Sequence, residues 1–369
     1  MGRELEVEGL SKSFETEQVL RDVTFSLDEG EVGTIVGPSG AGKTTLLNII
    51  AGIVRADSGR VSIGGRLVES GSDDRNGGIN TIPVERNVGY VFQDYLLFPN
   101  MTVFENVSFG LEARHLPKQD IRSRVKNVLE ITGIHDIRER KPAQISGGQM
   151  QRAALARAIV LEPHLLLLDE PLSALDRQTR ETLRLELKKI FGRLSVTALY
   201  VTHDLDEAFF LGDALGIMRE GRLSFYESKS DLLTRMSSSE AGFLGFNLIK
   251  VEFIRSEESE LVFLATEWGA QIRLALAARA ELTPNQKTVI AVPPEAVKVQ
   301  HPQNGSQPFI SARIRELREF KDRIQIVMGE PGHDLISEIS STEFYQLALQ
   351  PGYTIQVTIE SGVIVSDGS

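Results

Sequence analysis

Three hydrophobic rhythms follow one another along the chain. From Leu5 through Val7 and Leu10 to Phe14, and again from Leu20 through Val23 and Phe25 to Leu27, apolar positions interleave with polar ones as far as Glu29-Gly30. That spacing predicts short strands and turns. Val32 to Val36 is a compact apolar run that ends in Gly37, the form of a strand feeding a loop. Thr45 to Ala51 (TLLNIIA) has helical character and stops at Gly52. Glu69 to Pro83 (ESGSDDRNGGINTIP) is rich in Gly, Asn and Asp and predicts a solvated insertion.

Helical spacing dominates from about 94 to 160, a predicted helical subdomain that includes Thr102 to Glu139 and the long helix Gly148 to Leu161. Leu165 to Leu168 is then an unbroken run of leucines, which suits a strand covered on both faces of a parallel sheet. Ala198 to Thr202 (ALYVT) is a second such strand, reached through a helix over Arg177 to Arg193. Behind Ser237-Ser238-Ser239 the helices vanish. Alternating stretches replace them at Leu248 to Ile254, Leu261 to Ala265, Gln271 to Leu276 and Thr288 to Val292. A second set follows at Phe309 to Ile314, Arg323 to Met328, Leu335 to Ile339 and Thr354 to Thr358. The expected organisation is a domain over 1–240 and an all-β domain over 241–369, the latter as two barrel-like units at about 246–300 and 308–369.

Charge excludes one class of partner. The net charge is −11, and the part from Phe246 onward holds 11 Lys/Arg against 16 Asp/Glu. Both parts are acidic and neither carries a basic stripe, so no nucleic acid is expected as a partner. There are no cysteines, which removes disulfides, thiolate zinc sites and Cys nucleophiles. The N-terminal MGRELEVEGL lacks the apolar core of a secretory signal, and no apolar stretch is long enough to span a bilayer. Membrane association is expected only through a partner.

The chemistry is concentrated in short motifs. Gly37-Pro38-Ser39-Gly40-Ala41-Gly42-Lys43-Thr44 fits the phosphate-loop pattern G-x4-G-K-[ST] between a predicted strand and helix. Its glycines let backbone N–H groups turn toward phosphate oxygens, and the following helix, which Thr45 continues, adds its N-terminal partial charge. Lys43 can reach the β and γ phosphates, and the Thr44 hydroxyl suits Mg²⁺. Asp169 and Glu170 close the leucine strand, at the sheet edge where ligands bind. Asp169 suits Mg²⁺ through its water shell, and Glu170 suits orienting the attacking water. Ser146-Gly147-Gly148-Gln149 opens another helix and forms a second anion-accepting N-terminus. One nucleotide does not need two such cradles, so the second is expected to serve ATP held by another copy.

With these residues in place, the chain resembles the ATP-binding-cassette ATPases, the motor subunits of transporters. Ser146 to Gln149 match the family signature LSGGQ, with Ile145 in place of its Leu. Phe14 is similar to the aromatic that stacks on adenine. Gln93 matches the Q-loop glutamine that contacts Mg²⁺ or water. Ser173-Ala174-Leu175-Asp176 matches the D-loop, and His203 matches the switch histidine at the γ-phosphate. The resemblance implies an α/β P-loop ATPase core, with a RecA-like sheet plus antiparallel β and helical subdomains, followed by an OB-like (TOBE) domain. It implies ATP and Mg²⁺ as ligands, Lys43, Glu170 and His203 as catalytic groups, and Thr44, Gln93 and Asp169 around the metal. It also implies a homodimer in which Ser146, Gly147, Gly148, Gln149 and Asp176 act in trans.

Two permease subunits, an external solute-binding protein acting indirectly, and a place on the cytoplasmic face of the membrane follow from the same resemblance. Phe98 to Val103 resembles the surface that receives a permease's coupling helix. The back third resembles the accessory domains of importer ATPases for sugars, polyamines, iron and oxyanions; it is expected to brace the dimer, with binding of an anion or a regulatory protein as the alternative. Val292-Pro293-Pro294-Glu295 lacks the Arg of their usual Arg-Pro-Glu. Phe243 to Asn247, and Ser340 to Ser366 around LALQPG, look most like the molybdate/tungstate type. Sulfate, iron, polyamines and sugars are the alternative solutes. A soluble cassette acting on nucleic acid or ribosomes is more remote, because the coiled coil, zinc insertion or second cassette usual in that group is missing.

Overall fold

The structure, a computed structural model, describes residues 2–72, 78–257, 260–274, 282–302, 309–320, 323–330 and 333–365. The middle of the expected solvated insertion, the end of the Gln271 to Leu276 stretch and Ser366 lie outside the described residues. The chain forms two compact units, Met1–Lys229 and Ser230–Ser369.

The first unit opens with the long strands β1 (Arg3–Phe14) and β2 (Glu17–Asp28), then β3 (Val32–Val36) and helix α1 (Lys43–Ile50). The hairpin β4 (Ser58–Ile63) and β5 (Arg66–Ser70) joins β1 and β2 in an antiparallel sheet of order β2-β1-β4-β5. After β6 (Val88–Val91) come helices α2 (Val103–Ala113), α3 (Lys118–Ile131) and α4 (Gly147–Ile159). The unit ends with β7 (Leu165–Asp169), α5 (Arg177–Leu194), β8 (Thr197–Thr202), α6 (Leu205–Leu211) and the hairpin β9 (Ala214–Arg219) and β10 (Arg222–Tyr226). The second sheet has the order β10-β9-β3-β8-β7-β6, parallel except at the β10 edge.

Every residue of β3, β7 and β8 is buried, as the unbroken apolar runs require. Alternation divides them between two cores. Leu165, Leu167, Leu199 and Val201 pack with Leu46, Leu47, Ile49 and Ile50 beneath α1. Leu166, Leu168, Ala198 and Tyr200 face the opposite way, toward the alanines of α4 and the helical residues Val107, Val125 and Leu129. Parallel strands sandwiched between helices end together at one edge, so the segments after β3, β7 and β8 meet there.

One buried ion pair ties this layering to the phosphate-loop helix. Arg86 and Glu69 have fully buried side chains 2.7 Å apart. Arg86 also donates to the carbonyls of Ile49 and Ile50 at the C-terminus of α1, at 2.7 and 3.0 Å, and to Thr81 O at 2.7 Å. A guanidinium there satisfies orphan carbonyls and complements the negative end of the helix dipole. Gly52, at φ 81°, must lack a side chain, because a Cβ would sit 2.5 Å from Arg86 Nε.

The second unit contains α7 (Lys229–Arg235, from Ser230), α8 (Ser238–Phe243) and strands β11 (Asn247–Glu257), β12 (Glu260–Ala265), β13 (Ala270–Leu274), β14 (Lys287–Val292) and β15 (Val297–Gln300). It continues with β16 (Ile310–Glu319), β17 (Arg323–Glu330), β18 (His333–Ser340), α9 (Ser341–Leu347), β19 (Thr354–Ile359) and β20 (Val363–Val365). Its sheets run β13-β12-β11-β14-β20 and β15-β19-β16-β17-β18, and residues of both share one core. A division into successive units at 246–300 and 308–369 does not describe this pairing. β15 joins the later sheet through β19, and β20 returns to the earlier one through β14. The exchange lets one apolar interior, from Ile249 to Ile359, be closed by both ends of the segment. Helices also persist past the serine run. Ser237 and Ser340 cap α8 and α9 by accepting from Glu240 N and Glu343 N, a local bond that period-counting overlooks.

Arg86→Leu leaves the Glu69 carboxylate buried without its partner, and should cost the first unit about 3–5 kcal/mol. Urea unfolding followed through that unit's transition measures the loss, which the double replacement Arg86→Leu/Glu69→Met should recover only in part, because the carbonyls of Ile49, Ile50 and Thr81 stay without their donor.

Candidate nucleotide site

The loop between β3 and α1 is shaped by what a side chain would strike. A Cβ on Gly37 would lie 2.2 Å from Met218 O, and one on Gly42 would lie 2.7 Å from Val19 O. Gly40 and Gly42 have φ of 81° and 104°, the left-handed region that glycine adopts without a Cβ penalty. Ala41 N donates to Pro38 O at 3.2 Å and closes a turn in which Pro38, Ser39 and Gly40 are exposed. Lys43 is buried at the first residue of α1, and Thr44 and Thr45 follow it in the first turn.

The Lys43 ammonium donates to Gly37 O at 2.9 Å and Pro38 O at 3.0 Å, and pairs with Glu170 Oε1 at 3.3 Å. The other oxygen of Glu170 lies 2.8 Å from His203 Nδ1. Glu170 adopts φ 43°, an unusual conformation for a residue with a Cβ. It is fixed by its N–H donating to Val201 O at 3.0 Å and by Ser173 Oγ donating to its carbonyl at 2.8 Å. Asp169, buried at the end of β7, accepts from Thr44 Oγ1 at 3.1 Å. Burial pushes its carboxyl above the usual range; the Thr44 bond opposes that shift and neighbouring Glu170 adds to it.

Lys43, Thr44, Asp169, Glu170 and His203 thus form one contacting cluster. Thr44 and Asp169 offer hard oxygen donors side by side. Among the described residues no three His, Cys, Asp or Glu side chains are grouped to hold a metal. Such a site fits Mg²⁺, which takes most of its shell from phosphate and water rather than from a protein cage.

The signature lies elsewhere. Ser146 caps α4 by accepting from Gln149 N at 3.4 Å, while Gln149 Oε1 accepts from Ser146 N at 3.0 Å. Asp176 caps α5 by accepting from Thr179 N at 3.1 Å. Ser146, Gly148, Gln149 and Asp176 line one open cleft of about 380 Å³, together with Arg152 and Thr182. Gly147 stands against Leu175, where a Cβ would come within 3.0 Å of that side chain. None of the phosphate-loop residues lines this cleft. Phe14 is exposed at the end of β1, with the Lys12 ammonium 5.3 Å from its ring centroid, and Gln93 is exposed beyond β6. Among the described residues neither makes a hydrogen bond or ring contact with the loop.

The structure adds groups that motif reading passed over. Glu207 accepts from Tyr200 OH at 2.8 Å and Thr202 Oγ1 at 2.9 Å, just behind His203. Its sequence signal was the D-x-x-E step from Asp204, which caps α6 through Glu207 N. Arg157 on α4 donates to the carbonyls of Tyr95 and Leu96, adjacent residues at φ 60° and 43° just past Gln93. Tyr90 lies beside Asp169, and Asn48 lies beside Tyr90.

A phosphate loop at a helix N-terminus, acids at the end of a buried parallel strand one place removed in the same sheet and a signature on a separate helix define an ATP-binding-cassette ATPase. The comparisons agree. The ABC transporter family profile matches residues 20–173. The molybdate/tungstate import ATP-binding protein WtpC of Pyrococcus horikoshii is 35% identical over 371 residues, 98% of this chain and 99% of that one. WtpC of Thermococcus kodakarensis is 48% identical over 246 residues, 66% of this chain and 71% of that one. The Fe(3+) ions import ATP-binding protein FbpC of Brucella abortus is 37% identical over 361 residues, 97% of each chain. The cassette MJ0796, solved as a dimer bound to ADP and Pi, is 31% identical, with a TM-score of 0.52 over 60% of this chain and 96% of that one. The chain belongs to the ATP-binding-cassette import ATPases: it binds Mg·ATP and hydrolyses it. Among the described residues no helix is long and apolar enough to cross a membrane.

Proposed function

We propose that this chain energises uptake of a tetrahedral oxyanion, molybdate or tungstate, through two separate permease subunits that receive solute from an external binding protein. The reading places the chain peripherally, on the cytoplasmic face of the membrane. The observation that carries it is the likeness to WtpC over nearly the whole chain, back domain included. The likeness to FbpC covers almost as much and favours iron as the second reading.

In the proposed mechanism each ATP lies between two copies of the chain. The contacting cluster around Lys43 forms one half of a site, and the cleft around Ser146 on the other copy forms the second half. Two observations support this: the halves are separate within one chain, and the related cassette MJ0796 is dimeric. Lys43 and the loop N–H groups grip the phosphates, Phe14 stacks on the base, and Gln93 lies near the metal and the attacking water. Thr44 and Asp169 would hold Mg²⁺, which neutralises phosphate charge when bound. Glu170 orients the water, and His203, bonded to Glu170 here, turns toward the γ-phosphate. Ser146, Gly147, Gly148, Gln149 and Asp176 of the opposing copy complete the charge stabilisation. Rate acceleration comes from positioning and electrostatics, with no covalent intermediate.

Two experiments test these assignments. Lys43→Ala and Ser146→Arg each inactivate a homodimer, but a mixture forms heterodimers that contain one site free of both lesions. Mixing should therefore restore about half the wild-type ATPase rate per heterodimer, whereas a site built within one chain stays inactive. For the solute, cells lacking the chain's gene should lose high-affinity uptake of labelled molybdate and tungstate but retain iron uptake. Loss of iron uptake alone selects the second reading.

A further inference from the structure

We propose that Tyr90 is a positioning residue for the metal-binding carboxylate: its hydroxyl holds the second oxygen of Asp169, and Asn48 in turn holds that hydroxyl. The inference rests on the proposed role of Asp169 toward Mg²⁺ and extends it to residues outside the motifs. Its basis is strand register. β6 and β7 run parallel with Tyr90 opposite Leu167. Leu165 and Leu167 belong to the core beneath α1, and Tyr90 packs against that same core. Asp169, two residues beyond Leu167, projects on the same face. Above it, Thr44 and Asn48 are four residues apart on α1 and share one side of that helix.

The contacts follow from that stacking. Thr44 Oγ1 reaches Asp169 Oδ1, while Tyr90 Oη lies 3.1 Å from Asn48 Oδ1 and 3.5 Å from Asp169 Oδ2. The phenol has one proton to give, and a carboxylate is a stronger acceptor than an amide oxygen. The hydroxyl therefore donates to Asp169. The Asn48 amide, whose O and N are assigned from the network, presents its NH₂ to the Tyr90 oxygen. A carboxylate held at both oxygens cannot rotate about its Cβ–Cγ bond, and its orientation is set by α1 on one side and β6 on the other. The Tyr90 ring also stacks on Phe92 at 4.0 Å between centroids, 20° from parallel, one residue before Gln93. The same side chain thus joins the carboxylate to the start of the Q-loop. Outer partners of this kind commonly alter metal affinity 10–100-fold when removed.

The test is equilibrium binding of a fluorescent trinitrophenyl-ATP to the full chain, titrated with Mg²⁺ and repeated in excess chelator. Tyr90→Phe keeps the ring and its stacking. It should raise the Mg²⁺ concentration needed for half-maximal metal-dependent binding about tenfold. Chelator-measured affinity and melting temperature should match wild type. Asn48→Ala should shift the same titration in the same direction by less. Wild-type Mg²⁺ dependence in Tyr90→Phe overturns the inference, as does equal weakening with and without Mg²⁺. Asp169→Asn separates the layers. If it abolishes Mg²⁺ dependence while Tyr90→Phe changes nothing, only the Tyr90 role fails. If Asp169→Asn itself retains that dependence, the metal assignment fails and takes the Tyr90 role with it.

Discussion

A buried ammonium is tolerated only where carbonyls and a carboxylate surround it, and Lys43 meets that condition through Gly37 O, Pro38 O and Glu170. Much of the site's construction follows from satisfying this one charge. The loop must turn tightly enough for its own carbonyls to face the ammonium, so Gly37 packs against Met218 O and Gly42 takes a left-handed conformation. Glu170 must leave β7 sharply to reach the same point. Left-handed backbone at a residue with a side chain costs of order 1–3 kcal/mol. The strand pairing that precedes it and the bonds from Glu170 N and Ser173 Oγ hold it there.

That arrangement also describes a resting site. With Lys43 on one oxygen and His203 on the other, Glu170 is occupied by its own neighbours. In the proposed mechanism a γ-phosphate is the competing anion that draws Lys43 and His203 toward itself and releases the carboxylate for water. The signature cleft has no part in this cluster, so in the proposed mechanism charge stabilisation is completed only when a second surface arrives. On that proposal, separating the halves makes hydrolysis conditional on closure, which is what a transport motor requires.

Much of this was legible in the sequence because the decisive features are local. A strand, a glycine loop and a helix in succession fix the phosphate cradle, and four leucines before Asp169-Glu170 fix a buried strand with acids at its end. Eight alternating stretches in the back domain correspond to β11–β14 and β16–β19. What escaped was nonlocal or brief. Tyr90 meets Asp169 only through the register of β6 on β7, and Arg86 meets Glu69 and α1 only in three dimensions. The exchange of β15 and β20 between sheets leaves no periodic trace, since four- and three-residue strands are too short to show alternation. The caps that permit α8 and α9 are a reciprocal Ser237–Glu240 box and one Ser340 side-chain bond, both local and set in a serine-rich background.

The most direct measurement is steady-state ATPase of the wild type and Glu170→Gln, each assayed alone and with the proposed permease subunits. The account predicts Mg·ATP turnover that Glu170→Gln lowers at least a hundredfold, with that variant forming a dimer only when ATP is present. Undiminished turnover in Glu170→Gln would contradict it, because the carboxylate held by Lys43 and His203 would then not be the group that orients water.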